Sequence, residues 1–386
     1  MTDVLPPSAD VIVIGGGVMG ASCAYHLLRS GVRHVVLLEA EESFGSGATG
    51  RCAGGVRYQF ATEVNIRLSL ASLPRFETFR EETGQDCDYR KSGYMFVLTR
   101  PDEVETFRHN LDLQHSLGVR TEWLDGDEVR RRLPEMQWSD ALAGTFHALD
   151  GLVDPNSVVM GYVQAGRRLG LTALTQQRVT AIEVEKQKVR SVETASGRIA
   201  CDHVIDAAGP WAALVGRLAG VEIPIAPVRR QMATTTPLPA LRADFPFVID
   251  FARSLYFHRE GDGILTGMSN PSEPVGFDQT LDRVWEAVAL EAAATRLPML
   301  ETAGRLSGWA GLYEVTPDAH PVFGSSPVDG FWIVAGFSGH GFMHGPVAGQ
   351  LMAERLTAGR FVTLDVSSLD LARFAEGRLI REYNVI

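Results

Sequence analysis

A glycine-rich turn between two short apolar segments constrains the fold of this chain more than any other feature. Residues 10–14 (DVIVI) have the pattern of a buried strand, and residues 15–20 (GGGVMG) have the spacing G-x-G-x-x-G. A helical stretch follows, and then a second apolar strand at 35–38 that ends at Glu39. Strand, turn, helix, strand and acid within about 30 residues predict a Rossmann-type dinucleotide site.

Each residue of this motif has its own physical role. Gly15 permits the tight turn out of the strand, Gly17 lets a pyrophosphate approach the backbone, and Gly20 lets the helix pack against the sheet. The helix N-terminus offers free N–H groups and a positive dipole end to the phosphates. Glu39 is placed to accept hydrogen bonds from ribose hydroxyls, and its charge disfavours a 2′-phosphate.

Length, charge and cysteine content limit the class of protein. The 386 residues are enough for two domains, and the net charge of −11 argues against a nucleic-acid binder, which would need a basic face. The four cysteines form no CxxC pair, so we expect neither a metal site nor a disulfide framework. No segment approaches the roughly 20 apolar residues of a membrane span. We therefore expect a soluble, cytoplasmic protein.

Three later segments favour FAD over NAD as the dinucleotide. A loop of small residues at 45–51 can let the backbone lie against a bulky ring system, with Arg51 near phosphate. A strand running into a glycine turn recurs at 204–211. Another strand at 331–336 leads into a glycine-rich turn at 337–343, after which we predict a helix from about residue 346. The nucleotide domain is thus predicted to be discontinuous, whereas a simple NAD dehydrogenase keeps it contiguous.

With these segments in view, the chain resembles the D-amino-acid-oxidase-like flavoprotein superfamily. It looks most like the branch that contains sarcosine oxidase, glycine oxidase and the β subunit of dye-linked L-proline dehydrogenase. The segments that carry the resemblance are residues 15–20 with Glu39, 45–57 (GSGATGRCAGGVR), 206–211 (DAAGPW), 309–324 (WAGLYEVTPDAHPVFG) and 335–342 (AGFSGHGF). The match covers essentially the whole chain in the right order.

The resemblance implies an α/β fold with two interleaved domains. An FAD-binding, Rossmann-like three-layer domain would comprise residues 1–85, 145–220 and 325–386. A substrate domain of α+β type, built on a mixed and mostly antiparallel sheet, would comprise residues 86–144 and 221–324.

The periodicity in the middle of the chain agrees with a sheet in the second domain. Segments 227–236, 247–258 and 262–268 read as strands, and residues 281–296 place their apolar side chains on one face of a helix.

The resemblance also implies where FAD is bound. The first motif and the small-residue loop would contact the phosphates and the ring, Val179 would lie near the adenine, and the late glycine turn would lie near the pyrimidine edge of the flavin. The expected cofactor contacts are Gly15, Gly17, Val18, Met19, Gly20, Glu39, Ala40, Ser46, Gly47, Thr49, Arg51, Cys52, Val179, Ala208, Gly209, Trp211, Gly311, Gly339, His340, Gly341, Phe342 and Met343.

Several positions depart from the better-known relatives. Gly311 stands where monomeric sarcosine oxidases attach FAD through a cysteine, so we expect non-covalent FAD. Met343 stands where they have a substrate-binding lysine, and Tyr313 lies near the position of the carboxylate-binding arginine of glycine oxidase. Arg57 is therefore the first candidate to hold a substrate carboxylate, with Arg259 the second.

Other candidate catalytic residues lie on a strand and in the late glycine turn. Tyr256 and His258 alternate with apolar residues, so the pair shares one face, where the alternatives are an active-site role or plain packing. His340 lies within the turn and is expected to bond the flavin or the backbone.

The resemblance implies oxidation of the C–N bond of a small secondary amine or amino acid, such as sarcosine, proline or an N-substituted glycine. Hydride would pass from the α-carbon to flavin N5 and leave an imine. One alternative is a glycine or D-amino-acid oxidase that produces hydrogen peroxide. Another is a flavin-bound accessory subunit without turnover. The resemblance leaves open a hetero-oligomer with other dehydrogenase subunits or a homo-oligomer.

Overall fold

Two eight-stranded sheets organise the chain, for which a computed structural model describes residues 5–385. The strands are β1 (Ser8–Ile14), β2 (Val35–Leu38), β3 (Gly55–Val56), β4 (Tyr94–Leu98), β5 (Glu122–Asp125), β6 (Ala143–His147), β7 (Gly151–Leu152), β8 (Thr172–Leu174), β9 (Val179–Glu185), β10 (Lys188–Thr194), β11 (Gly197–Asp206), β12 (Ala226–Thr235), β13 (Phe247–Asp250), β14 (Leu255–Glu260), β15 (Gly263–Met268), β16 (Arg305–Val315), β17 (Val322–Ser325) and β18 (Phe331–Ala335).

The helices surround these sheets. The α-helices are α1 (Val18–Arg29), α2 (Glu63–Glu77), α3 (Phe79–Thr83), α4 (Pro101–Ser116), α5 (Gly126–Arg132), α6 (Pro155–Arg168), α7 (Ala212–Leu218), α8 (Arg283–Arg296), α9 (Gly341–Ala358) and α10 (Ala372–Ala375). Within the described range, no helix is long and apolar enough to cross a membrane.

The first sheet has the order β17-β18-β11-β1-β2-β8, with the hairpin β9–β10 attached to β11. The pairs from β18 to β8 are parallel. Alternate residues of β1 enter two different cores: Val11 and Val13 pack under α1, α6 and α9, while Ile12 and Ile14 pack on the α7 side. Burial on both faces explains why β1 is almost continuously apolar. The sheet is the middle of three layers, with α1, α6 and α9 on one face and α7 on the other.

The second sheet has the order β16-β12-β15-β14-β13-β4-β6-β5 and is antiparallel except between β13 and β4. Because side chains alternate along a strand, Val248, Leu255 and Phe257 enter the core beneath α8. Tyr94 and Phe247 lie on the other face. These two sheets confirm the predicted fold class. The domain boundaries stay predictions.

Two predicted elements differ from the structure. The predicted strand over 247–258 is two strands, β13 and β14, because a 3-10 turn at Phe251–Arg253 ends with Ser254 in the left-handed region at φ 50°. The last helix begins at Gly341 rather than near Pro346. The start was predicted at Pro346 because proline is favoured at the first position of a helix. In the structure, Pro346 lies inside α9.

Candidate active site

A cavity of about 560 Å³ lies between the two sheets. The glycine turn after β1 lines one end, and side chains of the second sheet line the other. Nearly all the residues predicted to contact cofactor or substrate line this cavity; Gly20, His258 and Arg259 do not. Arg259, the second candidate for the substrate carboxylate, instead donates to the carbonyl of Leu241 and pairs with Asp262. Gly20 has a packing role, because a Cβ there would lie 1.8 Å from the carbonyl oxygen of Gly15.

The uncapped N-termini of two helices open on this cavity. Helix α1 follows Gly17 and α9 follows His340, and neither of these residues caps its helix with a side chain. The Thr49 hydroxyl accepts the Val18 N–H at 3.1 Å, which ties the small-residue loop to the start of α1. The other N–H groups of each first turn have no partner within their own helix and suit phosphate or carbonyl oxygens. This donor set fits the pyrophosphate and ring of a flavin dinucleotide.

Glu39 is held at the end of β2 by the backbone around it. Its Oε2 accepts the Gly16 N–H at 2.7 Å and its Oε1 accepts the Glu41 N–H at 2.9 Å. Burial raises the pKa of the Glu39 carboxyl, against the opposite effect of these backbone bonds. Each carboxylate oxygen has a second lone pair, so the group still has acceptor capacity for ribose hydroxyls.

Arg51 connects the small-residue loop to the second sheet through hydrogen bonds. Its Nε donates to the carbonyl of Ser46 at 3.2 Å and its Nη1 donates to the carbonyl of Ala310 at 2.9 Å. The guanidinium therefore links the loop to β16 beside Gly311, where a Cβ would lie 2.9 Å from the Cβ of Arg51. These bonds give Arg51 a structural role in connecting the loop to β16. Its contact with phosphate stays a prediction.

Three tyrosines from separate strands meet on the cavity face of the second sheet. Tyr94 stacks on Phe247 with ring centroids 4.1 Å apart, and Tyr256 lies over Gly267. Tyr313 packs against Gly339, where a Cβ would lie 2.3 Å from its ring. Burial raises the pKa of all three phenols, so they are protonated at neutral pH and act as hydrogen-bond donors.

Arg57 is a buried cation at the same end of the cavity. It is 4% exposed, and its guanidinium lies 4.0 Å from the Phe60 ring centroid. Nη1 donates to the carbonyl of Gln59, and Nη2 donates to the carbonyl of Asn384 at 2.5 Å. Within residues 5–385, no carboxylate approaches Arg57 within 4 Å. Burial lowers the pKa of Arg57, yet arginine stays charged in proteins.

Two buried histidines, His340 in the late glycine turn and His344 in α9, are held in the neutral form. Neither ring nitrogen of His340 has a partner among the described residues, and the Nε2 of His344 lies 3.0 Å from the Ser69 hydroxyl. Burial lowers the pKa of His340 and lowers that of His344 to about 3. Met343, in the first turn of α9, lines the cavity beside them.

His258 does not reach the cavity. Its Nδ1 lies 2.9 Å from the carbonyl of Arg259, and its ring centroid is 5.1 Å from that of Phe247. Phe247 also packs against Tyr256, so it covers this face of β14. The structure therefore favours packing for His258 over contact with a substrate.

Sequence reasoning missed Tyr94, Arg230 and Glu314, which also line the cavity. Arg230 alternates with Val228 and Met232 on β12, and this period of two could have placed it on the same face as Met232. The other two had no local signal, because Tyr94 lies in a strand that was not predicted and Glu314 follows a tyrosine already assigned.

The buried carboxyl of Glu314 should make the free energy of unfolding depend on pH. Its Oε1 accepts the Phe337 N–H at 3.2 Å, its Oε2 has no partner among the described residues, and burial raises the pKa of its carboxyl to about 7. Because the folded-state pKa exceeds the unfolded one, stability falls as pH rises through the interval up to about 7. Urea unfolding of flavin-free Glu314→Gln should show a gain over wild type that grows across this interval to at most about 3 kcal/mol.

The control for this experiment is Glu81→Gln, which removes an exposed carboxyl. It should follow the wild type at every pH. A constant difference between Glu314→Gln and wild type from pH 5 to pH 8 would contradict the raised pKa.

The fold and site together define a flavin-type dinucleotide protein with a second, substrate-facing sheet. The family model described as "FAD dependent oxidoreductase" matches residues 10–355. The chain therefore belongs to this family of FAD-dependent oxidoreductases.

Individual relatives agree with the family. The chain is 29% identical to a mitochondrial dimethylglycine dehydrogenase of Rattus norvegicus over 95% of its own length but only 45% of the relative's. The chain thus spans about half the length of this curated relative.

Among solved structures, L-proline dehydrogenase from P. horikoshii is 31% identical, with a TM-score of 0.90 over 98% of this chain and 100% of that one. Glycine oxidase from Bacillus cereus ATCC 14579 is 26% identical, with a TM-score of 0.80 over 94% and 98% of the two chains.

We expect the FAD to be released completely on denaturation. Glycine occupies position 311, and the cysteine that lines the cavity is Cys52, whose pKa burial raises to about 11. Acid precipitation should leave all the flavin in the supernatant, measured by its absorbance. Flavin fluorescence that stays with the denatured chain on a gel would show a covalent link.

Proposed function

We propose that this chain uses FAD to oxidise the C–N bond of a small secondary amine or amino acid, and that Arg57 holds the substrate carboxylate. One observation carries the proposal: Arg57 is a buried guanidinium without a carboxylate partner in the described chain, and it opens on the same cavity as the nucleotide turn. A buried charge is stable only when it is paired or hydrogen-bonded. Arg57 donates to two backbone carbonyls, and the more distant carboxylates of Glu382 and Asp150 also favour its charged form. A substrate carboxylate would be the first carboxylate to pair with it directly.

The residues of the cavity have distinct roles in this proposal. Bound FAD would supply the two-electron acceptor for the α-C–H bond of the substrate. Arg57 fixes the carboxylate and with it the direction of the α-carbon, which sets the reacting geometry. Phe247 and Met232 make that end of the cavity apolar and help to exclude water.

The charges of the cavity favour an unprotonated amine. Arg57 and Arg230 both line it, and nearby positive charge lowers the pKa of a bound ammonium. The phenols of Tyr256 and Tyr313 offer O–H donors to the amine nitrogen, and His340 is a neutral imidazole with both ring nitrogens unbonded in the described chain. No dedicated base is needed when the amine arrives neutral.

The relatives support the same substrate class. The named dehydrogenases act on dimethylglycine and L-proline, and the named oxidase acts on glycine. All three substrates carry a carboxylate next to the carbon that bears nitrogen. The proposal covers only the FAD-dependent step, because the chain spans 45% of the dimethylglycine dehydrogenase.

The test is an anaerobic titration of the purified yellow protein, followed by its visible spectrum. We expect bleaching of the flavin band by L-proline, sarcosine or a related N-alkyl amino acid. The decarboxylated partners, pyrrolidine and dimethylamine, should bleach it far more slowly. If no amine bleaches the flavin, the proposed function is wrong.

Admitting air to the same cuvette shows whether the reduced flavin passes its electrons to oxygen or needs another acceptor. Rapid return of the yellow colour indicates an oxidase that produces hydrogen peroxide. A flavin that stays reduced indicates a dehydrogenase, and a hetero-oligomer with electron-accepting subunits would then be detected by size measurement in the native host.

A further inference from the structure

Two neighbouring arginines of β12 have opposite environments. Arg229 is paired with acids: its Nε is 2.9 Å from Glu273 and its Nη1 is 2.9 Å from Asp278. Arg230 points to the other face of the strand, towards the cavity. Its Nη1 donates to the carbonyl of Arg229 at 3.0 Å. Within residues 5–385, no acid lies within 4 Å of Arg230, and its buried Nε has no partner.

Arg230 lies at the substrate end of the cavity. Its guanidinium carbon is 5.1 Å from the Tyr313 ring centroid. Strand pairing places Arg230 opposite Gly311 and Met232 opposite Gly267, and Tyr256 lies over Gly267. Arg230 therefore shares one wall with Tyr256 and Tyr313.

Arg57 and Arg230 act on the same space. Burial raises the pKa of the Tyr313 phenol, and both guanidiniums oppose that rise, which places both cations within electrostatic reach of one hydroxyl. The pyrophosphate of the dinucleotide is expected at the start of α1, so it does not neutralise them. Arg57 has the carboxylates of Glu382 and Asp150 within electrostatic reach, although neither pairs with it directly. Arg230 has no acid within 4 Å in the described chain, and a single substrate carboxylate held by Arg57 would leave Arg230 without an anionic partner.

We propose that the natural substrate is a dianionic secondary amine, an amino acid whose nitrogen carries a carboxyalkyl group. Arg57 holds the α-carboxylate and Arg230 holds the second carboxylate. This inference rests on the proposed function and specifies its substrate class.

The reaction balances with FAD as the two-electron oxidant and one molecule of water. For N-carboxymethylglycine, one C–H bond and the N–H bond break, a C=N bond forms, and FAD is reduced by the two electrons and two protons released. Water then hydrolyses the imine to glycine and glyoxylate.

The test compares matched substrates that differ in one carboxylate. Glycines with N-carboxymethyl, N-carboxyethyl and N-carboxypropyl groups are set against N-ethyl-, N-propyl- and N-butylglycine, and the rate of anaerobic flavin reduction is measured below saturation. Because the second carboxylate would form a hydrogen-bonded charge pair with Arg230, the best dicarboxylate should react roughly 10- to 100-fold faster than its alkyl partner. The chain length that reacts fastest then reports the spacing of the two arginines.

Variants assign this preference to Arg230. Arg230→Gln should abolish the preference for the dicarboxylate, measured within the variant as the ratio of the dicarboxylate rate to the alkyl rate, and Arg230→Lys should retain part of it. Arg259→Gln is the control, because Arg259 donates to the carbonyl of Leu241 and pairs with Asp262 away from the cavity. It should leave the preference unchanged.

A binding measurement gives a readout that does not depend on turnover. Diglycolate has an ether oxygen in place of the N–H of N-carboxymethylglycine and cannot be oxidised in this way, and ethoxyacetate is its monocarboxylate partner. Titration of each into the oxidised holoenzyme, followed by the shift of the flavin spectrum, should give the lower Kd for diglycolate, and Arg230→Gln should equalise the two.

Three outcomes overturn the inference. Alkyl substrates that react as fast as the dicarboxylates exclude a second anion site, and the proposed function then stands if sarcosine or L-proline bleaches the flavin. Loss of FAD in both Arg230 variants would make Arg230 a cofactor contact instead. If no amine reduces the flavin, the inference and the proposed function fail together.

Discussion

Arg57→Gln is expected to lower kcat/KM for carboxylate-bearing amines roughly 30- to 1,000-fold, because it removes one partner of a buried charge pair. The flavin content should not change, since the nucleotide turn and the uncapped ends of α1 and α9 are built from other residues. Rates of anaerobic flavin reduction, together with the flavin-to-protein ratio, measure both effects.

Two controls separate substrate binding from folding. Pyrrolidine lacks the carboxylate of proline, so in Arg57→Gln its rate should fall far less than that of proline. Arg67→Gln removes an exposed arginine that pairs with Glu63 on α2, and it should resemble the wild type. Equal loss of activity towards proline and pyrrolidine would mean that Arg57 only holds the chain together through Gln59 and Asn384.

Gly15→Ala is expected to yield protein with little or no flavin. Gly15 has φ 106°, and a Cβ there would lie 2.4 Å from the carbonyl oxygen of Ala207 in the neighbouring strand segment. Neither backbone can move without separating β1 from β11, which together form the floor of the nucleotide site. Such overpacking costs about 1–3 kcal/mol in addition to the strain of the left-handed conformation.

Gly118→Ala is the matched control for this substitution. Gly118 has φ 88°, but no heavy atom lies within 4 Å of the position that a Cβ would take there. It therefore carries the backbone strain alone, about 1–2 kcal/mol, and should retain its flavin. Flavin content after purification and the Tm of both variants decide the comparison; equal flavin in the two would show that the contact with Ala207 is not critical.

The nucleotide end of the site could be predicted from sequence because its residues are close along the chain. Strand, turn, helix and Glu39 are local neighbours, and their spacing has one physical explanation. The structure adds what spacing cannot show, such as the Thr49 hydroxyl bonded to the Val18 N–H.

The substrate end is assembled from distant strands, and there local patterns were insufficient. Tyr256 and His258 have the same alternation, yet Phe247 covers the histidine and leaves the tyrosine on the cavity. Arg230 meets Tyr313 only because β12 pairs with β16. Arg57 donates to the carbonyl of Asn384, more than 300 residues away along the chain. Nothing near Arg57 in the sequence indicates that contact.

The most direct test of the account is a crystal structure of the protein with FAD and methoxyacetate, in which an oxygen replaces the N–H of sarcosine. We expect the methoxyacetate carboxylate at about 2.7–2.9 Å from the guanidinium of Arg57, beside the flavin and the tyrosines of the second sheet. A carboxylate bound at another residue, with Arg57 still bonded only to the carbonyls of Gln59 and Asn384, would contradict the assignment of Arg57 and the function built on it.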